Sequence, residues 1–144
     1  MGKVAANRSE TVAKIPLACA DEKAAVEFFE ECRGWDKHPA CPKCGVMDVY
    51  QIVGRDGERQ KDFRWRCRGC GEQYTVRTGT IYEDSRIPLR HWCRAFYRAS
   101  SSKKGVSALQ IQRETGLSYK SALSLMHRVR LAMTIPPGEP LKCI

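Results

Sequence analysis

The sequence has no long apolar run, no low-complexity tract and no internal repeat apart from one duplicated cysteine motif. The apolar stretch nearest the N-terminus, residues 15–20, is interrupted by Pro16 and is too short for a signal peptide or a membrane span. The myristoylation pattern that would follow Gly2 is also missing, because Ala6 stands where that pattern requires Ser or Thr. These absences predict a cytosolic protein, nucleoid-associated in a bacterial cell if it binds DNA, that contacts no membrane and keeps its thiols reduced.

Carboxylates are scarce in the C-terminal part of the chain, where only Glu114 and Glu139 follow Asp84. The formal net charge of +9 is therefore uneven: residues 1–40 carry −1, residues 41–82 carry +3 and residues 83–144 carry +7. This gradient favours an anionic partner for the last two segments, although a basic surface that only keeps the protein soluble would produce the same charge. Nothing in the pattern indicates a small-molecule substrate.

Cysteine, in contrast, is abundant, and four of the eight cysteines belong to two copies of one motif, CPKCG at 41–45 and CRGCG at 67–71. Each Cys-x-x-Cys turn can supply two thiolates to a tetrahedral ion, and the following glycine permits a left-handed backbone. The 22 residues between the two pairs are enough for an out-and-back hairpin. The sequence therefore predicts a zinc ribbon with one structural zinc ion. The predicted ligands are Cys41, Cys44, Cys67 and Cys70.

Two other functions use similar cysteine pairs. A rubredoxin-like iron site has the same paired turns, and the thiolates alone do not distinguish it, although the basic surroundings favour zinc. A thioredoxin-type dithiol needs only one pair, in a βαβ setting that this sequence does not show. Four cysteines leave no open coordination position, so the expected zinc is structural and not catalytic.

The expected fold is α+β: a short N-terminal helix, a four-cysteine ribbon with a small antiparallel sheet, and a three-helix helix-turn-helix module. Helical periodicity covers 21–33, and short alternating segments at 47–53, 61–67 and 73–77 predict three strands. The expected domains are a flexible N-terminus at 1–20, a helix packing on the ribbon at 21–40, the ribbon at 41–82, the trihelical module at 83–133 and a Pro-rich tail at 134–144.

The helical module begins near Pro88 with an amphipathic segment in which His91 and Cys93 are interpreted as structural residues, not metal ligands. A short helix at 106–114 follows, with Ala108, Leu109 and Ile111 expected inside.

After that short helix, Gly116 makes the turn, and Ser118 caps a last helix whose inward face is Ala122, Leu125, Met126, Val129 and Met133. A short helix, a glycine turn and a capped second helix are typical of helix-turn-helix. A basic helix on an unrelated bundle is the alternative.

Candidate DNA contacts lie on the ribbon, in the linker before the short helix and on the last helix. Ribbon arginines and linker lysines would hold phosphates, and the polar N-terminal part of the last helix would read the major groove. The candidates are Arg64, Arg66, Arg68, Lys103, Lys104, Ser118, Tyr119, Lys120, Ser121, Ser124, His127 and Arg128.

The motifs CPKCG, RCRGCGEQYTVRTGTIYEDSRIPLRHW and SSKKGVSALQIQRETGLSYKSALSLMHRVRLAM together resemble the N-terminal region of zinc-ribbon insertion-sequence transposases of the DDE type. The resemblance covers about residues 20–133. It implies that the paired cysteines bind zinc and that the helix after Ser118 meets a transposon end.

Members of that family continue into a ribonuclease H-like domain whose three carboxylates hold two divalent metals. This sequence shows no such constellation, so we expect no strand cleavage or joining, and a truncated, separately encoded or domesticated DNA-binding regulator. The alternative is an interaction adaptor for a transposase or transcription complex, contacting a protein partner through the N-terminal helix.

Overall fold

The computed structural model describes residues 8–35 and 39–134, and for residues 8–12 it describes the backbone. Along the chain the elements are α1 (Arg8–Ala20), α2 (Glu22–Cys32), β1 (Val49–Gln51), β2 (Trp65–Cys67), β3 (Gln73–Tyr74), α3 (Leu89–Ser101), α4 (Ala108–Thr115) and α5 (Tyr119–Thr134). The predicted α+β class is confirmed: the described residues form five helices and one three-stranded antiparallel sheet. Within the described ranges no helix is long and apolar enough to cross a membrane.

The chain divides into two compact units, and the division falls inside α2. The helical unit comprises residues 8–28 and 85–134, and the ribbon unit comprises residues 29–35 and 39–84. The five domain boundaries expected from the sequence remain a prediction.

Helix α1 occupies a segment that was expected to be irregular and flexible. Pro16 lies inside this helix and lacks an amide hydrogen, which makes a helix hard to predict from the sequence. Tertiary packing explains the difference, because α1 contacts α3 and Ala18 is only 1% exposed. Such burial can stabilise a helix whose own sequence pattern is weak.

In the helical unit α5 packs against both α3 and α4, and Arg98 of α3 pairs with Glu114 of α4 at 2.9 Å. The largest fully buried side chains of this unit are Leu89, Trp92, Ile111, Leu125 and Met126. These residues recur at helical spacing, so each helix buries one stripe.

Two apolar residues that were expected in this core face solvent instead. Leu109 is 52% exposed and Met133 is 54% exposed. Leu109 follows the buried Ala108 directly, so the two point about 100° apart around the helix. Met133 lies in the last turn of α5, beyond the last buried residue, Val129.

The helix-turn-helix geometry is set by its caps. The Ser107 hydroxyl accepts a hydrogen bond from the Gln110 N–H at 3.2 Å and starts α4. Gly116 ends α4 in a left-handed conformation, with φ of 72°. The Ser118 hydroxyl then accepts from the Ser121 N–H at 3.2 Å at the start of α5.

The ribbon sheet has the strand order β1-β2-β3, with both pairs antiparallel. Tyr50 pairs with Arg66, which in turn pairs with Gln73, so these three residues form one row across the sheet. Trp65 and Cys67 are buried on the opposite side. Phe63 alternates with Trp65 and Cys67 in the sequence, but it has a left-handed φ of 53° and lies outside β2.

A buried carboxylate joins the end of α2 to the sheet within the ribbon unit. Glu30 is 6% exposed and accepts a hydrogen bond from the Trp65 indole N–H at 2.8 Å. Arg59 donates to both of its carboxylate oxygens, in one case at 2.9 Å. Arg59 also lies over the Trp65 ring, 5.3 Å from its centroid. This paired, hydrogen-bonded arrangement makes a buried charge tolerable.

Candidate metal centre and nucleic-acid interface

The sulfur atoms of Cys41, Cys44, Cys67 and Cys70 lie within 4.8 Å of one another. The Sγ atoms of Cys41 and Cys70 are 3.6 Å apart, as are those of Cys44 and Cys67. A tetrahedral zinc ion with bonds of about 2.3 Å would separate its sulfur ligands by about 3.8 Å. The four thiols therefore have the chemistry and spacing for one zinc ion.

The two cysteine turns share one backbone pattern. The N–H of Gly45 donates to the Cys41 carbonyl at 2.9 Å, and the N–H of Gly71 donates to the Cys67 carbonyl at 3.1 Å. Both glycines have φ of 73°, a left-handed conformation that most side chains disfavour. In each turn the first cysteine's N–H also donates to a carbonyl five residues later, that of Val46 or Glu72. The sheet thus presents two equivalent pairs of thiols.

The surroundings of the first cysteine turn act differently on its two thiols. The backbone hydrogen bond from Cys44, followed by that from Lys43, lowers the pKa of Cys41 to about 7 despite the opposing effect of burial. A lowered pKa favours the thiolate, the form that binds metal, at Cys41. At Cys44 the backbone hydrogen bond from Val46 has the same effect, but burial and the side-chain hydrogen bonds with the other three cysteines outweigh it and raise the pKa to about 12. Lys43 of the first turn pairs with Glu72 beside the second at 2.8 Å.

Among the described residues, these four cysteines form the one group of three or more potential metal ligands that lie close enough together to share an ion. Cys93 is buried in the helical unit and is absent from that group, and so is His91. Four thiolates complete a tetrahedral shell, so the ion would join the two turns and would hold no reactive water.

The three ribbon arginines lie on the exposed side of the sheet but differ in their partners. Arg64 pairs with Asp62 at 2.9 Å, and Arg68 lies 3.6 Å from Asp48. Arg68 also lies over the Tyr50 ring, 5.4 Å from its centroid. Arg66, among the described residues, has no acidic partner. Of these three arginines, Arg66 is therefore the one most available to an anion.

On the exposed side of α5, the polar residues that share one face are fewer than the DNA contacts predicted from the sequence. Lys120, Ser124 and His127 are all exposed and follow one another at the i, i+4, i+7 spacing of one helix face. Tyr119 is exposed on one flank of this stripe, and Arg128 is exposed on the other. Helix α5 contains no acidic residue.

Ser118 and Ser121 have a structural role in addition to any contact with a ligand. Their hydroxyl oxygens are 2.9 Å apart, and Ser118 is the cap of α5. Lys103 and Lys104 are exposed in the turn between α3 and α4.

Arg130 had no specific role predicted from the sequence, but its guanidinium donates to the Val106 carbonyl at 3.0 Å. The Glu30–Arg59–Trp65 cluster was not predicted either, because these residues are far apart in the sequence and carry no local motif.

Residues 20–73 match the transposase zinc-ribbon domain of the IS1595 type. This segment is similar to transposase zinc ribbons. The match contains both cysteine pairs, the strands β1 and β2, and the first residue of β3. The zinc-ribbon match and the four-thiol cluster together fit one structural zinc ion. The predicted resemblance to insertion-sequence transposases is thereby confirmed.

A curated relative extends the similarity beyond the transposase zinc ribbon. An uncharacterized protein in the transposable element ISH50 of Halobacterium salinarum is 28% identical over 115 residues. That alignment covers 80% of this chain but 37% of the relative, so the chain spans little more than a third of the relative's length. No solved structure matches. The chain is thus similar both to a transposase zinc-ribbon domain and to a protein of a transposable element.

Proposed function

We propose that this transposase-related chain binds double-stranded DNA, with sequence preference, through one surface on each unit. The observation that carries the proposal is the exposed Lys120–Ser124–His127 stripe on the capped second helix of a helix-turn-helix. That helix bears no carboxylate to repel phosphates. Exposed polar residues in the N-terminal half of such a helix are placed to meet base edges in the major groove.

In the helical unit, Lys120, Ser124 and His127 contact the bases, with Tyr119 beside them. Arg128, Lys103 and Lys104 contact the phosphate backbone and set the orientation of the helix. Ser118 and Ser121 contribute by capping α5, which fixes where its first turn begins.

In the ribbon unit, Arg66 makes the first phosphate contact. Arg64 and Arg68 follow once their guanidiniums exchange Asp62 and Asp48 for phosphate oxygens. Guanidinium suits this exchange because it binds carboxylate and phosphate with the same fork of N–H donors. Zinc contributes by holding the strand that carries these arginines.

We also propose that residues 8–35 and 39–134 recognise DNA without cutting it. Two-metal strand cleavage requires carboxylates that converge on ions about 4 Å apart. The group of potential metal ligands found among these residues consists of four thiols and contains no carboxylate. Such a part would act in end recognition or in the regulation of transposition.

The test is a gel-shift titration with random-sequence duplex DNA at several salt concentrations. Neutralising about five phosphates would give a slope of log K against log salt near −4 to −5. Lys120→Ala combined with Arg128→Ala should weaken binding strongly while the fold is preserved. Arg113→Ala, which removes an exposed cation from α4 outside the proposed surface, is the matched control. A flat salt response would contradict the proposal.

The alternative, a protein-interaction adaptor, has one observation in its favour. Val46, Met47 and Val53 are exposed apolar residues of the ribbon unit, between 40% and 64% exposed. Exposed apolar side chains are able to contribute to a protein contact. A chain that binds no duplex at low salt, yet retains its zinc and fold, would favour this function over DNA binding.

A further inference from the structure

The helical unit contains an open cavity of about 530 Å³ beside the start of α4. Its walls come from the turn before α4, from the first turn of α4 and from the second half of α5. The lining residues are Lys104, Gly105, Val106, Ser107, Gln110 and Arg130. The proposed DNA surface used only Lys104 of these residues.

The lining of this cavity is cationic. Lys104 and Arg130 are positively charged, and the lining includes no acidic residue. The side chain of Gln110, a lining residue, donates a hydrogen bond to the carboxylate of Glu114 at 3.2 Å. Its charge is already paired with Arg98 at 2.9 Å. An anion in the cavity would therefore meet two cations and no uncompensated negative charge.

Two of the cavity's donors are held in place before any ligand arrives. The Arg130 guanidinium is fixed by its hydrogen bond to the Val106 carbonyl, at 3.0 Å. The Ser107 oxygen accepts from the Gln110 N–H, which leaves the hydroxyl hydrogen available to a ligand. Groups already fixed in position lose less entropy when a ligand binds.

We propose that this cavity binds a phosphate group of the DNA backbone, an inference that rests on the proposed DNA-binding function. Arg130 lies eleven residues after Tyr119, which is about 17 Å along the axis of α5. The major groove is about 12 Å wide, so a helix whose first turns lie in the groove carries Arg130 to the flanking backbone. The cavity then holds the duplex at the far end of α5 from the base contacts.

The experiment compares Lys104→Gln and Arg130→Gln with Arg113→Gln in duplex binding at several salt concentrations. Each cavity variant should bind all duplexes more weakly and lower the salt slope by about 0.9, the value for one lost phosphate contact. Arg113→Gln should keep the full slope. Lys104 is exposed, so its variant tests the cavity without disturbing the fold, and thermal unfolding checks Arg130→Gln.

A second readout uses amide spectra of the full chain titrated with inorganic phosphate and, separately, with duplex DNA. The Gly105 and Ser107 signals should shift with DNA, and the shifts should shrink in Lys104→Gln. Because the proposed DNA surface already includes Lys104, Arg130→Gln decides between the two proposals: an unchanged slope in Arg130→Gln, with DNA binding by the wild type, would overturn this inference and leave the proposed function intact. Absence of DNA binding by the wild type would overturn both. Shifts with inorganic phosphate but not with DNA would identify a free phosphate as the ligand and overturn the backbone assignment.

Discussion

Glu22 in α2 caps α3 by accepting a hydrogen bond from the backbone N–H of Leu89 at 2.8 Å, across 67 residues of sequence. The other oxygen of this carboxylate accepts from the Arg90 N–H at 3.1 Å. Pro88, at the cap position itself, provides no side-chain hydrogen bond. The first free amides of α3 are thus satisfied by a residue from another helix, whose negative charge also suits a helix N-terminus.

Replacing Glu22 by Ala should therefore destabilise the helical unit by about 1 kcal/mol, the usual cost of a lost helix cap. Thermal unfolding followed by circular dichroism measures the change. Glu27→Ala, which removes an exposed carboxylate from the same helix, is the control and should have little effect. Equal melting temperatures for Glu22→Ala and wild type would contradict the capping role.

Removal of one zinc ligand should unfold the ribbon unit. Cys67→Ala is expected to reduce the zinc content from one ion per chain to none, because three thiolates no longer complete the site. Zinc in such domains contributes on the order of 10 kcal/mol to folding, so the sheet should be lost with it. Elemental analysis and the amide signals of β1, β2 and β3 measure the two effects. Cys32→Ala changes an exposed thiol outside the cluster, and a loss of zinc in that variant would contradict the ligand assignment.

The Glu30–Arg59 pair predicts that the two single variants together lose more free energy of unfolding than the double variant. Glu30→Gln leaves the Arg59 guanidinium buried without a counter-charge, which should cost about 3–5 kcal/mol. The double variant Glu30→Met with Arg59→Met should lose less stability than the sum of Glu30→Met alone and Arg59→Met alone, because no unpaired charge remains in it. Denaturant unfolding of the zinc-loaded protein measures this cycle. Additive effects would show that the two charges do not depend on each other.

The ribbon arginines should contribute unequally to DNA binding. Arg66→Ala is expected to weaken duplex binding more than Arg64→Ala, because Arg64 must first give up its ion pair with Asp62. Asp62→Ala should accordingly strengthen binding at low salt by releasing Arg64. Affinities measured at one fixed salt concentration decide the order, and equal losses from the two arginine variants would contradict it.

The local features of this fold were predictable from the sequence because each depends on neighbouring residues. The spacing of Cys41 and Cys44 defines a metal-binding turn by itself, and Gly116 with Ser118 marks the end of one helix and the start of the next. The alternation of Trp65 and Cys67 with arginines likewise indicates one buried and one exposed face.

The features that were missed depend on contacts between distant segments. Helix α1 was hidden by Pro16, and only its packing on α3 accounts for it. Nothing near Glu22 indicates that it caps a helix far along the chain, and nothing near Glu30 indicates Arg59. Leu109 was misplaced because an apolar residue at the edge of a helical stripe can fall on either side of the buried boundary.

The two carboxylates beside the ribbon arginines also affect the kinetics of any complex with DNA. Together, Arg64, Arg66, Arg68, Asp48 and Asp62 carry only one net positive charge, so this face attracts a distant polyanion weakly. Long-range attraction would come instead from the more basic α3–α5 region. The ribbon would then prolong the lifetime of a complex after contact and add little to the speed of first encounter.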